Sequence, residues 1–227
     1  MNLIQVSPAV ADARPPENKV ARMSKSTASR KRNGGSRRGS RGDQRRRRIF
    51  KSLHDCILSQ GYVKTTLADI AKGAEMSASH LLYYFNGKED ILEQYFENVS
   101  VRFLEKIAEF SHQAPREQFQ SLADFWFKGE ASTVKEIGFM LECFGAAVND
   151  NALRVTKADF DHRCKAHLAE IFDASPASFM GSSKDAAEIA YGLMIGLRSA
   201  VYFDSDIDLE DAHRLFLGSM LTMGGLD

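Results

Sequence analysis

From Gln44 to the C-terminus the apolar side chains recur three and four residues apart, and nowhere do they alternate as a strand requires. That spacing confines the chain to helices packed on helices. Ile49, Phe50, Leu53, Cys56 and Ile57 form one stripe ending at Gly61, which predicts a first helix over Gln44–Gln60. Thr66-Leu67-Ala68-Asp69 places a hydroxyl and a carboxylate three residues apart, the pattern of a capping box, and opens a short helix over Leu67–Lys72. Gly73-Ala74-Glu75-Met76 breaks it, and Ser77 is placed to cap a third helix, Ala78–Tyr84, whose Leu81 faces the core together with Phe85. Two short helices joined by a tight turn are the geometry that sets the second helix into the major groove of DNA.

The stretch GYVKTTLADIAKGAEMSASHLLYYFNGKEDIL, Gly61–Leu92, resembles the helix-turn-helix of the TetR family of transcriptional regulators. That family reads G-(x)3-T-T-(x)2-I-A-(x)2-A-G-V-S-(x)3-L-Y-Y-H-F-(x)2-K-(x)2-L. Gly61, Thr65, Thr66, Ile70, Ala71, Ala74, Ser77, Leu81, Tyr83, Phe85, Lys88 and Leu92 fall at matching positions. Three positions depart from it: Glu75 stands where the turn usually has glycine, Leu82 replaces the first aromatic, and Tyr84 replaces the histidine. The resemblance implies an all-α protein with an N-terminal three-helix DNA-binding domain, followed by a larger helical domain that binds a ligand and dimerises. The boundaries expected are 1–43 for a basic arm, 44–92 for the helix-turn-helix domain and 93–227 for the effector-binding and dimerisation domain.

The chemistry of the side chains divides the DNA-facing candidates into those that position and those that read. Thr65, Thr66, Tyr83, Tyr84 and Lys88 carry hydroxyl or ammonium tips suited to phosphate oxygens. Ala78, Ser79 and His80 lie on the first turn after the Ser77 cap, within reach of base edges. Each has a plainer alternative: Tyr83 packing on the surface, Ser77 acting only as a cap. Arg45 and Arg46, with Arg47 and Arg48, are placed to follow the DNA backbone or enter the minor groove.

Charge supports a division of the chain even though the whole is neutral. Residues 1–48 hold 14 Lys/Arg against 3 Asp/Glu, about +11, and the remainder holds 16 against 27, about −11. Met23 is the only large apolar side chain between Ala21 and Arg48, so this segment lacks the apolar area to offset its ordering entropy and is expected to be disordered. Its arginines suit phosphates by counterion release, unless the segment is a solubilising tail or Met23 is the true start.

Beyond Leu92 further helices are expected over Arg116–Lys128, Val134–Asn149, Asn151–Phe172, Lys184–Phe203 and Leu209–Met223, after a connecting helix through Tyr95, Val99 and Phe103. Ser182 with Asp185, and Asp208 with Asp211, form possible caps. The LECFGAAVNDNALR stretch and the last two helices are broadly similar to members of the family with a betaine-regulator type of C-terminal domain. Phe125, Trp126, Phe139, Met140, Phe144 and Phe160 are the candidate ligand-binding residues, with ordinary core packing as the alternative. Gly192, Gly196 and Ala200, four residues apart, would let a partner helix approach closely, and Phe216 and Met220 on the last helix complete the candidate dimer interface.

Other chemistry finds little support in the residues. There is no phosphate loop ending in Lys-Ser/Thr, no G-x-S-x-G elbow, no C-x-x-C and no H-E-x-x-H, so no enzyme activity, metal or cofactor is expected. Cys56, Cys143 and Cys164 are odd in number and far apart, against a disulfide scaffold. No long uncharged apolar run exists, since Arg198 interrupts Ile189–Phe203, and no secretory leader is apparent, so a reduced cytoplasmic compartment is expected and no membrane partner. The expected function is a ligand-responsive regulator, a repressor that binds a palindromic double-stranded DNA operator as a homodimer and is released by a small-molecule effector. Two alternatives stay open: an RNA-associated protein working through the Arg/Gly arm, and a ligand-binding or enzymatic helical protein whose helix-turn-helix is vestigial.

Overall fold

A computed structural model of the chain describes residues 41–129, 132–176, 181–204 and 206–227. Among them there are nine α-helices and no strand. The head is built from α1 (Arg41–Gln60), α2 (Leu67–Gly73), α3 (Ala78–Leu81) and the first part of α4 (Lys88–Ala108). The body holds the rest of α4, α5 (Pro115–Phe127), α6 (Val134–Asn149), α7 (Asn151–Asp173), α8 (Ser183–Phe203) and α9 (Leu209–Gly224), with a 3₁₀ turn at Glu109–His112 after α4. Residues 1–40, and with them nearly all of the expected basic arm, lie outside the described residues. Residues 41–43, expected to end that arm, form the first turn of α1 instead.

Local chemistry sets most of these boundaries. Thr66 Oγ1 accepts from Asp69 N while the Asp69 carboxylate accepts from Thr66 N, the reciprocal box that starts α2. Hydrogen bonds to Thr66 also hold the Asp69 carboxyl below its ordinary pKa. Ser182 accepts from Asp185 N and Asp208 from Glu210 N and Asp211 N, starting α8 and α9. Asp150 both ends α6 and caps α7, accepting from Leu153 N. The third helix is shorter than its apolar spacing predicts. Regular α-helix stops at Leu81, and the chain continues to Phe85 in turns, including a tightened Tyr83 N–H to His80 O bond.

Two apolar cores result. In the head, Ile49, Leu53 and Ile57 of α1 bury Ile70, Ala71, Leu81, Phe85, Ile91 and Leu92. The α1–α2 crossing is tight at Gly73, where an added Cβ would stand 2.3 Å from Ser52 Oγ, itself bonded to Ile70 O at 2.8 Å. In the body, Phe119, Trp126, Phe127, Phe172 and Phe216 dominate. The cores meet at a joint: Cys143 and Ala147 of α6 and Leu153 of α7 are buried against the head rather than the body.

The turn between α2 and α3 carries a strained residue. Glu75 has φ 57°, the left-handed region, at the position where glycine would be free of cost. That conformation costs a residue with a Cβ about 1–2 kcal/mol. The ion pair with Arg48, at 3.6 Å and exposed, offsets little of it. Glu75→Gly is therefore expected to stabilise the protein by about 0.5–1 kcal/mol, the strain relieved less the extra freedom of the unfolded chain. A urea midpoint that rises with unchanged slope would show this; a fall would mean that the turn is not strained.

Candidate nucleic-acid interface and internal cavity

The outer face of α3 is polar and open to solvent, while Leu81 on its inner face, and Phe85 in the turns that follow it, are buried. Ser77 Oγ accepts from His80 N at 3.2 Å, capping the helix, and lies 3.1 Å from Ser79 Oγ. Ala78 and Ser79 are exposed and His80 is half-buried beside Tyr84, ring centroids 5.6 Å apart. In the turn after α3, Tyr83 is 81% exposed and Leu82 next to it 50%. Ser77, Ala78, Ser79, His80 and Tyr83 thus share one accessible surface.

Other sequence-predicted contacts are placed differently. Thr65 is buried, and its hydroxyl donates to Gly61 O at 2.8 Å, so it shapes the loop before α2 and cannot face a phosphate directly. The Lys88 ammonium donates to Tyr62 O at 3.0 Å and lies 4.2 Å above the Tyr62 ring, which ties α4 to the same loop. An ammonium so engaged would have to leave both partners to reach DNA. Thr66 is exposed, but its hydroxyl donates to Asp69 Oδ2 at 2.6 Å within the capping box. Arg45 donates to the Tyr84 hydroxyl at 3.0 Å, which keeps Tyr84 against α1. Arg46 donates to Gln94 Oε1 at 2.6 Å and stacks over Phe85 at 5.2 Å. Neither arginine belongs to a free arm; both sit on α1 and brace the head, because the helix begins before them.

The body encloses a cavity of about 160 Å³ among α4 to α8. That far exceeds the ~10–15 Å³ that admits a single water. Phe125, Trp126, Phe139, Met140, Phe144 and Phe160, the residues expected from sequence, all lie in its wall. Tyr95, Phe96 and Phe103 of α4 and Tyr191 of α8 add to the aromatic lining. Sequence reasoning missed the two charged members, Glu136 and Arg198. Arg198 had a signal, a lone arginine inside the apolar run of α8; Glu136 had none. The Tyr191 hydroxyl donates to Asp161 at 2.6 Å, and Lys157 neutralises that carboxylate at 2.6 Å, so this corner is self-contained.

Glu136 also links the cavity to the head. His54 of α1 donates through Nε2 to Glu136 Oε2 at 3.1 Å, and its ring lies 4.5 Å from that of Phe139. Phe139 in turn meets Tyr95 edge-on at 5.5 Å. A second tie joins Tyr62 N to Glu142 Oε2 at 2.9 Å. Glu136, Phe139 and Cys143 therefore face the cavity on one side and touch the head on the other.

The dimer candidates separate into two sets. Phe216 and Met220 are both 0% exposed inside the body core, with Phe216 packed edge-on against Trp126 at 5.2 Å. They are core residues and cannot offer their side chains to a partner. Gly192 and Gly196 are exposed on α8, and a Cβ at either would meet nothing within 4 Å; Ala200 on the same helix is half-buried. Burial raises the thiols of Cys143 and Cys164 to about 12, so both are protonated and poorly nucleophilic at neutral pH. Among the described residues no three His, Cys, Asp or Glu are grouped to hold a metal, and no helix is long and apolar enough to cross a membrane.

A short capped helix on the surface of a three-helix head, carried by a helical body, is a helix-turn-helix DNA-binding module. Residues 49–95 match the family model described as bacterial regulatory proteins, tetR family, so the head is a TetR-family helix-turn-helix domain. The described residues share the fold of solved TetR-family transcriptional regulators. The chain is similar to a TetR transcription regulator from Haloarcula marismortui at TM-score 0.71 and 18% identity, covering 80% of this chain and 98% of that one. A transcriptional regulator from Saccharomonospora viridis, solved in complex with choline, matches at TM-score 0.70 and 20% identity over 79% of this chain and 96% of that one. The reduced form of NemR from E. coli matches at TM-score 0.68 and 13% identity over 81% and 99%. No curated protein matches the chain.

Proposed function

We propose that the protein is a cytoplasmic repressor that reads a palindromic operator in duplex DNA as a homodimer and lets go of it when a small molecule fills the body cavity. The observation that carries the DNA half is the accessible face of Ser77, Ala78, Ser79, His80 and Tyr83 on an α3 that Leu81 holds from behind. Serine and histidine there offer both donors and acceptors to base edges, and the Tyr83 hydroxyl suits a backbone phosphate. A head this small covers only one half-site, so the exposed faces of α8 and α9, with Gly192 and Gly196 on the first, are the surfaces that bring a second copy alongside.

Release follows from the shared wall. A ligand that shifts Glu136 or Phe139 moves groups that also contact His54 and Tyr95 of the head, so the two DNA-reading helices change their spacing. Only a ligand with different affinities for the bound and released states can do this. One neighbour of the same fold was solved with choline, a precedent for a small organic ligand on this architecture.

Selection of bound duplexes from a random DNA pool tests the reading. The expected outcome is a consensus of two inverted half-sites about one helical turn apart. Ser79→Ala and His80→Ala are expected to relax the consensus at one position per half-site, each costing about 1–3 kcal/mol of discrimination. Binding without sequence preference, or to RNA and duplex alike, would overturn it.

A further inference from the structure

We propose that the cavity takes an organic carboxylate with an apolar, aromatic or aliphatic body, its carboxylate held by Arg198. The inference rests on the reading of this cavity as an effector site and specifies what enters it. Arg198 stands in the middle of α8 among apolar neighbours and is only 9% exposed. One of its amino groups donates to Trp126 O at 2.5 Å. A guanidinium has five donors, and no carboxylate of the described residues approaches this one within 4.0 Å. The carboxylate whose charge it feels is Glu136, which His54 holds at 3.1 Å. Burial accordingly pulls Arg198 down from its ordinary value to about 10, the mark of a charge without a counter-ion in contact.

A second wall residue has an unmet donor. The indole N–H of Trp126 is buried and has no acceptor among the described residues. That N–H is closed off from the cavity, so Arg198 is the group left for a ligand: a buried cation without a carboxylate in contact raises the energy of the empty protein, and an entering carboxylate is the simplest group that answers it. The remaining lining is aromatic and apolar, suited to the body of such a ligand. An aromatic wall also fits a quaternary ammonium. Here Arg198 repels one, and the wall's one carboxylate, Glu136, already accepts from His54. Arg198 therefore decides between the two classes in favour of the anion.

Trp126 is the single tryptophan of the chain and reports directly on the cavity. The full-length protein is titrated with phenylacetate, 4-phenylbutyrate and octanoate, with phenylacetamide and phenyltrimethylammonium as neutral and cationic counterparts, while tryptophan emission is followed. Saturable change is expected with at least one carboxylate, tenfold or more tighter than with the amide or the cation. Arg198→Gln is expected to weaken that carboxylate by ten- to hundredfold and to leave the amide unchanged; Arg198→Lys is expected to fall between. If Arg198→Gln does not fold, the acid–amide comparison on the wild-type protein still decides. No saturation by any of the three carboxylates overturns the proposal. So does equal binding of acid and amide, or preference for the cation. Adding the tightest carboxylate to the operator complex separates the two readings: tight, Arg198-dependent binding with unchanged operator affinity would leave this proposal standing and sink the ligand-release function.

Discussion

Phe216→Ala is expected to destabilise the protein by about 3–5 kcal/mol, as emptying an aromatic site in a core usually does. The side chain is fully buried between Trp126, at 5.2 Å, and Phe127, at 5.6 Å, and neither neighbour can move in without leaving its own contacts. For a chain of this size the loss lowers the melting temperature by roughly 10 °C. Self-association measured by sedimentation should stay as it was, because the ring never reaches the surface. Gly192→Leu is the complementary change. A Cβ there meets nothing within 4 Å in the protomer and the position is exposed, so the monomer is expected to tolerate the change, and association weakens only if the outer face of α8 is the contact. A Phe216→Ala protein that keeps its stability but loses its partner would restore the ring to the interface.

Leu81→Ala is expected to remove operator binding, with affinity down a hundredfold or more, while ligand binding in the body is unchanged. A helix of four residues lies far below the length at which helix holds itself together in water, so α3 exists because its anchors hold it against α1 and α2. Leu81 is fully buried in the head core, and its truncation costs about 2–5 kcal/mol there. Amide exchange should rise across residues 77–85 and hardly at all in α8. Tyr83→Ala, by contrast, should weaken DNA binding without altering exchange, since that ring is already outside. Undiminished operator affinity in Leu81→Ala would mean that α3 is not the reading element.

Much of the architecture could be read before any coordinates. Helix starts were legible because a cap is a local device: Thr66 with Asp69, Ser182 with Asp185, and Asp208 with Asp211 all close the bonds that their spacing implied. The strain at Glu75 was legible for the same reason, as one residue in a turn that asks for glycine. The aromatics of α5 to α7 were recognisable as a group, and the fold gathers them around one cavity. What failed was anything that depends on which apolar face meets which. Periodicity says that Phe216 and Met220 are covered, not whether their own chain covers them.

Polar tips were misjudged by a related route. A threonine hydroxyl or lysine ammonium is drawn toward phosphate on paper, but in the fold Thr65 bonds Gly61 O and Lys88 bonds Tyr62 O. The pair of His54 and Glu136, 82 positions apart, carries no local signature at all. Arg198 looked like an obstacle to a membrane span, and only packing turns it into a buried charge with no carboxylate in contact.

One helix joins the head, the cavity and the body core. Ile91 and Leu92 of α4 are sealed in the head, Phe96 and Phe103 look into the cavity, and Leu104 and Ile107 belong to the body core. At 1.5 Å per residue its 21 residues make a rod about 30 Å long. A stiff rod gripped at one end and nudged near its middle acts as a pointer: a tilt of about 5° sweeps its tip through roughly 2.6 Å over that length. Such a sweep is about three-quarters of the ~3.4 Å rise of one base pair, so in the proposed dimer the gauge between two grooves would be spoiled by a movement hardly visible where it starts.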